Sequence, residues 1–203
     1  MGHQSVRKLQ LKAQMAETAA RLMNETGLRD YQMAKQKAAA LLGISERKHW
    51  PTNQEIDQAL TTYLSLFEAG EQAVRLKSLR QVAVDAMKFL EQFQPRLVGS
   101  VLLGNPTRHA SVELHLFSEY PEAVSLYLVD NKMPFEEKDK RIRVDRDTYE
   151  RVPVFKFIAQ DVTVELIVFP VNGMRQAPLS LVDGKPMSRA SLAEVEQLLA
   201  CPV

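Results

Sequence analysis

The spacing of apolar residues changes at Pro95, and this change constrains the fold more than any other feature of the sequence. Before Pro95, apolar residues recur every three or four positions, which is the spacing of amphipathic helices. After it, short runs alternate apolar and polar residues, which is the spacing of strands with one buried face. We therefore predict an α+β protein, with a helical bundle at 1–94 and a mixed-sheet domain at 95–203.

Four helices are predicted in the first half, at 5–26, 30–42, 52–69 and 71–93. Asp30 is a favourable N-cap, and Thr52 with Glu55 forms a capping box. Three of the helices are followed by a glycine that supplies a left-handed terminal residue, namely Gly27, Gly43 and Gly70. The apolar stripe of the fourth helix is broad, so we expect this helix to pack against the sheet domain.

The second half is predicted to form a sheet, one internal helix, and a C-terminal arm with a final helix. The internal helix is expected at 121–131 and the final helix at 188–199. Gln160 and Asp161 join two apolar runs closely enough for an antiparallel hairpin, which would place Glu165 centrally in the sheet. The predicted strands are 97–103, 111–117, 134–137, 141–144, 152–159 and 162–169.

Candidate functional residues are concentrated in the segment 98–117 and in the strand 162–169. Gly99 and Ser100 close an apolar run, and a new strand then begins, in which polar and apolar residues alternate. This alternation places three polar residues on one face, namely Ser111, Glu113 and His115. Glu165 lies between Val164 and Leu166, where a carboxylate is costly unless it is hydrogen-bonded, paired or bound to a cation.

A glycine-serine turn, a strand with alternating polar residues and a later strand with an acid resemble the nucleotidyltransferase fold of polymerase-beta-like and minimal nucleotidyltransferases. The resemblance covers residues 96–170. It implies that Gly99 and Ser100 hold the phosphates of a nucleoside triphosphate. It also implies that Glu113 and Glu165 are catalytic and bind a divalent metal, Mg²⁺ or Mn²⁺, with Ser111 or His115 beside them.

The acidic motif departs from the pattern of that family in either of two registers. One register matches the paired acids of the family to Ser111 and Glu113, and the other matches them to Glu113 and His115. Each register lacks one carboxylate, whereas two divalent cations roughly 4 Å apart need several anionic oxygens. We therefore expect a degenerate site: a nucleotide- or phosphate-binding protein with weakened or lost catalysis.

Three other interpretations of these residues remain open at this stage. The alternating polar residues are also typical of the solvated face of an antiparallel strand. Glu165 is also placed to pair with Lys156 on the preceding strand. His109, Glu113 and His115 suggest a zinc cluster, although no HExxH or paired-cysteine spacing accompanies them.

The arm after Pro170 carries basic residues that bear on the same site. Arg175, Lys185 and Arg189 follow directly after the strand that contains Glu165. A long loop in this position either folds back over the strand end as a binding loop or simply wraps around the sheet. Under the first alternative, Arg175 is a candidate phosphate ligand.

Composition and charge limit the class of protein and its partners. A formal net charge of +1 over 203 residues argues against a protein that coats nucleic acid. The single cysteine, Cys201, excludes an internal disulfide framework. No apolar run approaches about 20 residues, and residues 1–14 lack the apolar core that is typical of a signal peptide. We expect a cytoplasmic protein without a membrane partner. The rival to nucleotide binding is a non-catalytic interaction protein whose helical half binds a protein or RNA partner.

Overall fold

The computed structural model of the chain describes residues 2–145 and 147–200, without the side chains of residues 2–5 and 69. The fold is α+β, as predicted. Seven α-helices and five β-strands lie in these ranges, and none of these helices is long and apolar enough to cross a membrane. Cys201 lies outside the described residues. The helices are α1 Gly2–Thr26, α2 Tyr31–Leu42, α3 Asn53–Phe67, α4 Ala69–Phe89, α5 Gly99–Leu103, α6 Glu122–Asp130 and α7 Leu192–Ala200.

The chain divides into two compact units, and the division falls within α4. The first unit comprises Met1–Gln72 and Thr107–His109, and the second comprises Ala73–Pro106 and Ala110–Val203. The change in apolar spacing predicts a domain boundary between residues 94 and 95, and a boundary at that point stays a prediction.

The helical unit has its own apolar core, built from the stripes of α1, α2 and α3. The predicted capping box of α3 is present, because the Thr52 side chain accepts from the Glu55 N–H and the Glu55 carboxylate accepts from the Thr52 N–H. Asp30 caps α2, and Gly43 ends it in the left-handed conformation. The fully buried core includes Met15, Ala19, Ala20, Ala34, Ala38, Ile56 and Leu64.

The end of α3 differs from the sequence prediction, which extended this helix to residue 69. Helix α3 ends at Phe67, and Gly70 lies in the first turn of α4. Glu68 separates the two helices, and its buried carboxylate accepts hydrogen bonds from Asn24 (2.8 Å) and Arg108 (2.9 Å). These bonds satisfy an acid that would be costly to bury alone, and they hold the junction between α3 and α4.

The second unit contains a five-stranded mixed sheet in the order β1-β2-β5-β4-β3. Its strands are β1 Arg96–Val98, β2 Val112–Phe117, β3 Glu136–Arg143, β4 Tyr149–Ala159 and β5 Val162–Phe169. Strands β2 and β5 are parallel, and the other neighbouring pairs are antiparallel. The predicted hairpin at Gln160 and Asp161 is confirmed, and it makes β5 the central strand of the sheet.

Two strand predictions were wrong in detail. A strand was expected at 97–103, but β1 stops at Val98 because Gly99 adopts a positive φ of 74°, and the short helix α5 follows. Two strands were expected at 134–137 and 141–144, but β3 is one continuous strand. Its charged residues suit an edge strand, where side chains with both charges keep the edge from pairing with other chains.

The two faces of the sheet have different partners. Leu114 and Leu166 lie on one face and share a buried core with residues of α4, α6 and α7, among them Met87, Leu128 and Val195. The predicted packing of the fourth helix against the sheet is thus confirmed. The opposite face carries Glu113, Glu165 and Lys156 and is called the acid face below. The acid face also carries a smaller apolar cluster, formed by Phe117, Ile142, Val152, Val154, Ile167 and Phe169.

Candidate functional site

Strand register brings the two candidate carboxylates together on the acid face. Val98 of β1 lies opposite Glu113 of β2, and Glu113 lies beside Glu165 of the parallel strand β5. Glu165 in turn lies opposite Lys156 of β4. Because residues paired between neighbouring strands point to the same face, the sheet itself places both carboxylates side by side.

The turn at Gly99 lies directly beside Glu113. A Cβ atom added to Gly99 would lie 3.4 Å from Oε1 of Glu113, and the positive φ of Gly99 disfavours any other residue there. Ser100 is half-buried, and its carbonyl accepts the N–H groups of Gly104 and Asn105. The predicted turn and the first predicted carboxylate therefore lie side by side.

Two lysines neutralise the carboxylates of the acid face. Nζ of Lys156 lies 3.0 Å from Oε1 of Glu165. The pairing of these two residues, one of the interpretations left open by the sequence, is thus confirmed. Nζ of Lys140, from the edge strand β3, lies 3.6 Å from Oε2 of Glu113 and 4.0 Å from Oε2 of Glu165. The Glu165 side chain is only 5% exposed, so its charge depends on these partners.

His115 is buried further along the acid face and is held by the C-terminal arm. Its Nδ1 accepts a hydrogen bond from Nε of Arg189 at 3.0 Å, and its ring packs 4.7 Å from that of Phe169. Burial, followed by the charges of Arg189 and Lys140, lowers the pKa of His115 to about 3. The imidazole is therefore neutral at pH 7, with its Nδ1 lone pair already in use.

Arg189 is the arm residue that reaches the acid face. Its Nη1 donates to the carbonyls of Gly173 (2.8 Å) and Met174 (3.2 Å). Its guanidinium lies 5.0 Å from the ring centre of Phe117 and 5.3 Å from that of Phe169. Ala190 beside it exchanges two backbone hydrogen bonds with Leu97 of β1. The C-terminal arm is thus bonded to the sheet at two residues, through Arg189 to β2 and through Ala190 to β1.

The remaining predicted residues lie in different surroundings. Ser111 is buried immediately before β2, two residues from Glu113. Arg175 is exposed at the end of a short 3-10 helix, Val171–Met174. Its role as a phosphate ligand stays a prediction. His109 is bonded through Nε2 to the carbonyl of Glu25 in the helical unit.

The burial of neutral His115 predicts a pH dependence of stability. Its pKa is about 3 in the folded state and near the ordinary value of 6.5 in the unfolded chain, so the unfolded chain takes up the proton first. The free energy of unfolding should therefore fall as the pH drops from about 7 to 5, by up to about 1 kcal/mol per pH unit. Urea unfolding at pH 7, 6 and 5 measures this slope.

The matched control is His115→Gln, whose amide oxygen keeps an acceptor for Arg189 but does not titrate. Most carboxylates remain ionised across this pH window, so the variant should show a much flatter profile. An equal slope in both proteins would contradict the assignment of this effect to His115.

The donor set on the acid face does not fit the divalent cation that the resemblance implies. Within the described residues, no group of three His, Cys, Asp or Glu side chains is arranged to hold a metal ion. Glu113 and Glu165 already contact lysine ammonium groups, and Nδ1 of His115 is occupied by Arg189. The zinc cluster and the Mg²⁺ or Mn²⁺ site both stay predictions, and the described residues offer no complete set of ligands for either.

Comparisons with known proteins add little to this geometry. No protein-family model and no curated protein matches the chain. One similar solved structure is that of the GLD-2/RNP-8 complex, with 21% sequence identity over 52% of this chain and 43% of that chain. It is a weak structural neighbour. Its TM-score of 0.31 is too low to carry an argument, and this chain spans less than half of the length of that chain.

Proposed function

We propose that residues 96–170 form a nucleotidyltransferase-like domain that binds a nucleoside triphosphate, or another phosphate group, beside Gly99 and Ser100. The observation that carries the proposal is the common location of the Gly99 turn, Glu113 and Glu165 on the acid face. These three features come from separate segments of the chain, and the strand register assembles them in the order that the family resemblance implies.

We further propose that catalysis is weakened or lost. The first register leaves Ser111 in place of an acid, and serine supplies no charge to balance a metal ion. The second register needs His115 as a ligand, but its Nδ1 accepts from a cationic guanidinium. Both registers therefore leave two carboxylates, and each of these contacts an ammonium group.

Calorimetric titration with the four ribonucleoside triphosphates tests the binding proposal. The unmodified protein should bind at least one of them at millimolar concentration or below. Ser100→Ala should weaken that binding, because it removes a hydroxyl that can contact phosphate and leaves the backbone unchanged. Ser125→Ala, in α6, is the matched control, because Ser125 is half-buried like Ser100, and it should bind like the unmodified protein.

Two results would count against nucleotide binding at this turn. One is the absence of heat for all four nucleotides, with and without Mg²⁺ or Mn²⁺. The other is binding that Ser100→Ala and Ser125→Ala weaken to the same extent, because such binding would lie elsewhere.

A second candidate function is an interaction role for the helical unit, and a surface groove favours it. The groove lies along α1 and α3, has a volume of about 1040 Å³, and is lined in part by Leu9, Leu66 and Phe67. These three side chains are 65%, 70% and 73% exposed. The lining also carries the Lys12–Glu55 ion pair. An apolar groove with charges of both signs suits a protein surface better than an RNA backbone.

Sedimentation of the protein, alone and mixed with a single-stranded RNA, tests whether the groove binds protein or RNA. Self-association that is lost in Phe67→Glu would support a protein-binding groove. RNA binding that survives this substitution would locate the RNA elsewhere. A monomer that binds no RNA would leave the groove without support from either partner class.

A further inference from the structure

We infer that Lys140 and Lys156 are built-in cations that fill the divalent-cation position between Glu113 and Glu165, so that the domain takes a phosphate-bearing ligand without a divalent metal. The part of this inference that concerns the ligand rests on the proposed function. The part that concerns the cation position rests on the acid face alone.

The contacts of the two ammonium groups carry the inference. Three of the four carboxylate oxygens lie within 4.0 Å of a lysine nitrogen, namely Oε2 of Glu113 and both oxygens of Glu165. The fourth, Oε1 of Glu113, faces Gly99. A divalent ion placed between these carboxylates would have to displace an ammonium group from each of the three oxygens that a lysine contacts.

The charges of the cluster also balance without a metal. Two carboxylates face two ammonium groups, so a divalent ion would add its full charge to a compensated cluster at short range. The lysines belong to β3 and β4, so their ammonium groups cannot dissociate into solvent as a bound metal ion can. Glu165 is almost fully buried, which makes a permanent partner more favourable than an exchangeable one.

Lys140 is also placed to meet an anion. Its side chain is 45% exposed, whereas that of Glu165 is 5% exposed, so the ammonium group lies between the buried acid and solvent. A lysine ammonium has three N–H donors, and the ion-pair contacts of Lys140 with the two carboxylates, at 3.6 and 4.0 Å, occupy at most two of them, so one donor can meet a phosphate oxygen. This arrangement gives the ligand a positive contact of the kind that a metal ion would otherwise supply.

Binding of Mn²⁺ to the protein alone, followed by the electron paramagnetic resonance signal of the free ion, tests the cation position. The unmodified protein should bind Mn²⁺ weakly. Lys140→Met should bind it at least roughly tenfold more tightly, because two carboxylates on adjacent strands lose a shared cation. Lys140→Met/Lys156→Met should bind it more tightly still.

Two matched variants show whether any gain in Mn²⁺ affinity comes from the carboxylates of Glu113 and Glu165. Lys138→Met removes a neighbouring lysine that pairs with Glu136 at 2.8 Å and acts on Glu165 only through its charge at longer range, so it should gain much less affinity for Mn²⁺ than Lys140→Met does. Adding Glu113→Gln to Lys140→Met should abolish the gain. Circular dichroism establishes that each variant is folded, and Lys140→Gln serves as a second test of the same position.

The inference is overturned if the unmodified protein binds Mn²⁺ as tightly as Lys140→Met does. It is also overturned if folded Lys140→Met and Lys140→Gln gain no affinity. A separate titration with nucleoside triphosphate in the presence of EDTA tests the ligand. Binding there that equals binding in Mg²⁺ supports metal-free recognition, and binding that requires Mg²⁺ overturns it. If no nucleotide binds under either condition, the proposed function fails, whereas the Mn²⁺ titration still decides the role of the lysines.

Discussion

Replacing Arg189 with alanine is expected to lower the free energy of unfolding by about 3 kcal/mol. The guanidinium donates to Nδ1 of buried His115 and to the carbonyls of Gly173 and Met174. Alanine removes these donors together and leaves the imidazole nitrogen without its hydrogen-bond partner in a site that is 1% exposed. The contacts with the rings of Phe117 and Phe169 are lost as well. Urea denaturation at pH 7 measures the change.

Arg189→Lys is the control for charge alone. Lysine keeps the positive charge, but it lacks the planar fork that reaches His115 and two carbonyls at once. We expect it to recover only part of the loss. Full stability in either variant would show that the arm is held by other contacts and that Arg189 does not fasten it to the sheet.

Replacing Lys156 with methionine is expected to lower the free energy of unfolding by about 3 kcal/mol, because it removes the ammonium group that lies 3.0 Å from the buried carboxylate of Glu165, whereas that of Lys140 lies 4.0 Å away. Methionine keeps much of the apolar stem of the side chain, so the loss reports mainly the missing charge. Chemical denaturation of the single variant at neutral pH gives the magnitude.

A double-mutant cycle with Glu165→Gln separates the ion pair from side-chain packing. The double variant Lys156→Met/Glu165→Gln should be more stable than Lys156→Met alone, because the amide is neutral and costs less to bury than an unpaired carboxylate. If the two substitutions simply add, the contact at 3.0 Å contributes nothing specific to stability.

Local periodicity was enough to predict much of the fold. The helical spacing indicated α1, α2 and α3 and the central part of α4, and the alternation of residues indicated β2, β4 and β5. Helix α5 has five residues, which is too short for a helical period to be recognised. The continuous strand β3 was predicted as two pieces because charged residues occupy both of its faces, so only its pairing with β4 identifies it.

The candidate site was predictable where it depends on nearby residues. Glu113 follows from the alternation in one strand, and the pairing of Glu165 with Lys156 follows from a two-residue hairpin. Lys140 was not identified as a partner of either acid, because it reaches them from an edge strand that is not adjacent to β5 or β2. Arg189 was noted in the arm, but its contact with His115 joins residues 74 positions apart. Such contacts depend on tertiary structure and leave no local pattern.

The most direct test of the central claim is to follow backbone amide chemical shifts by NMR during a nucleoside triphosphate titration in EDTA. The account predicts that the amides of Gly99 and Ser100 show the largest shifts, together with those of Glu113 and its neighbours on the acid face. Amides of α1 and α3 should remain unchanged and serve as the internal reference. Shifts confined to the helical unit, or shifts at Gly99 that occur only with Mg²⁺ present, would contradict a metal-independent phosphate site on this face of the sheet.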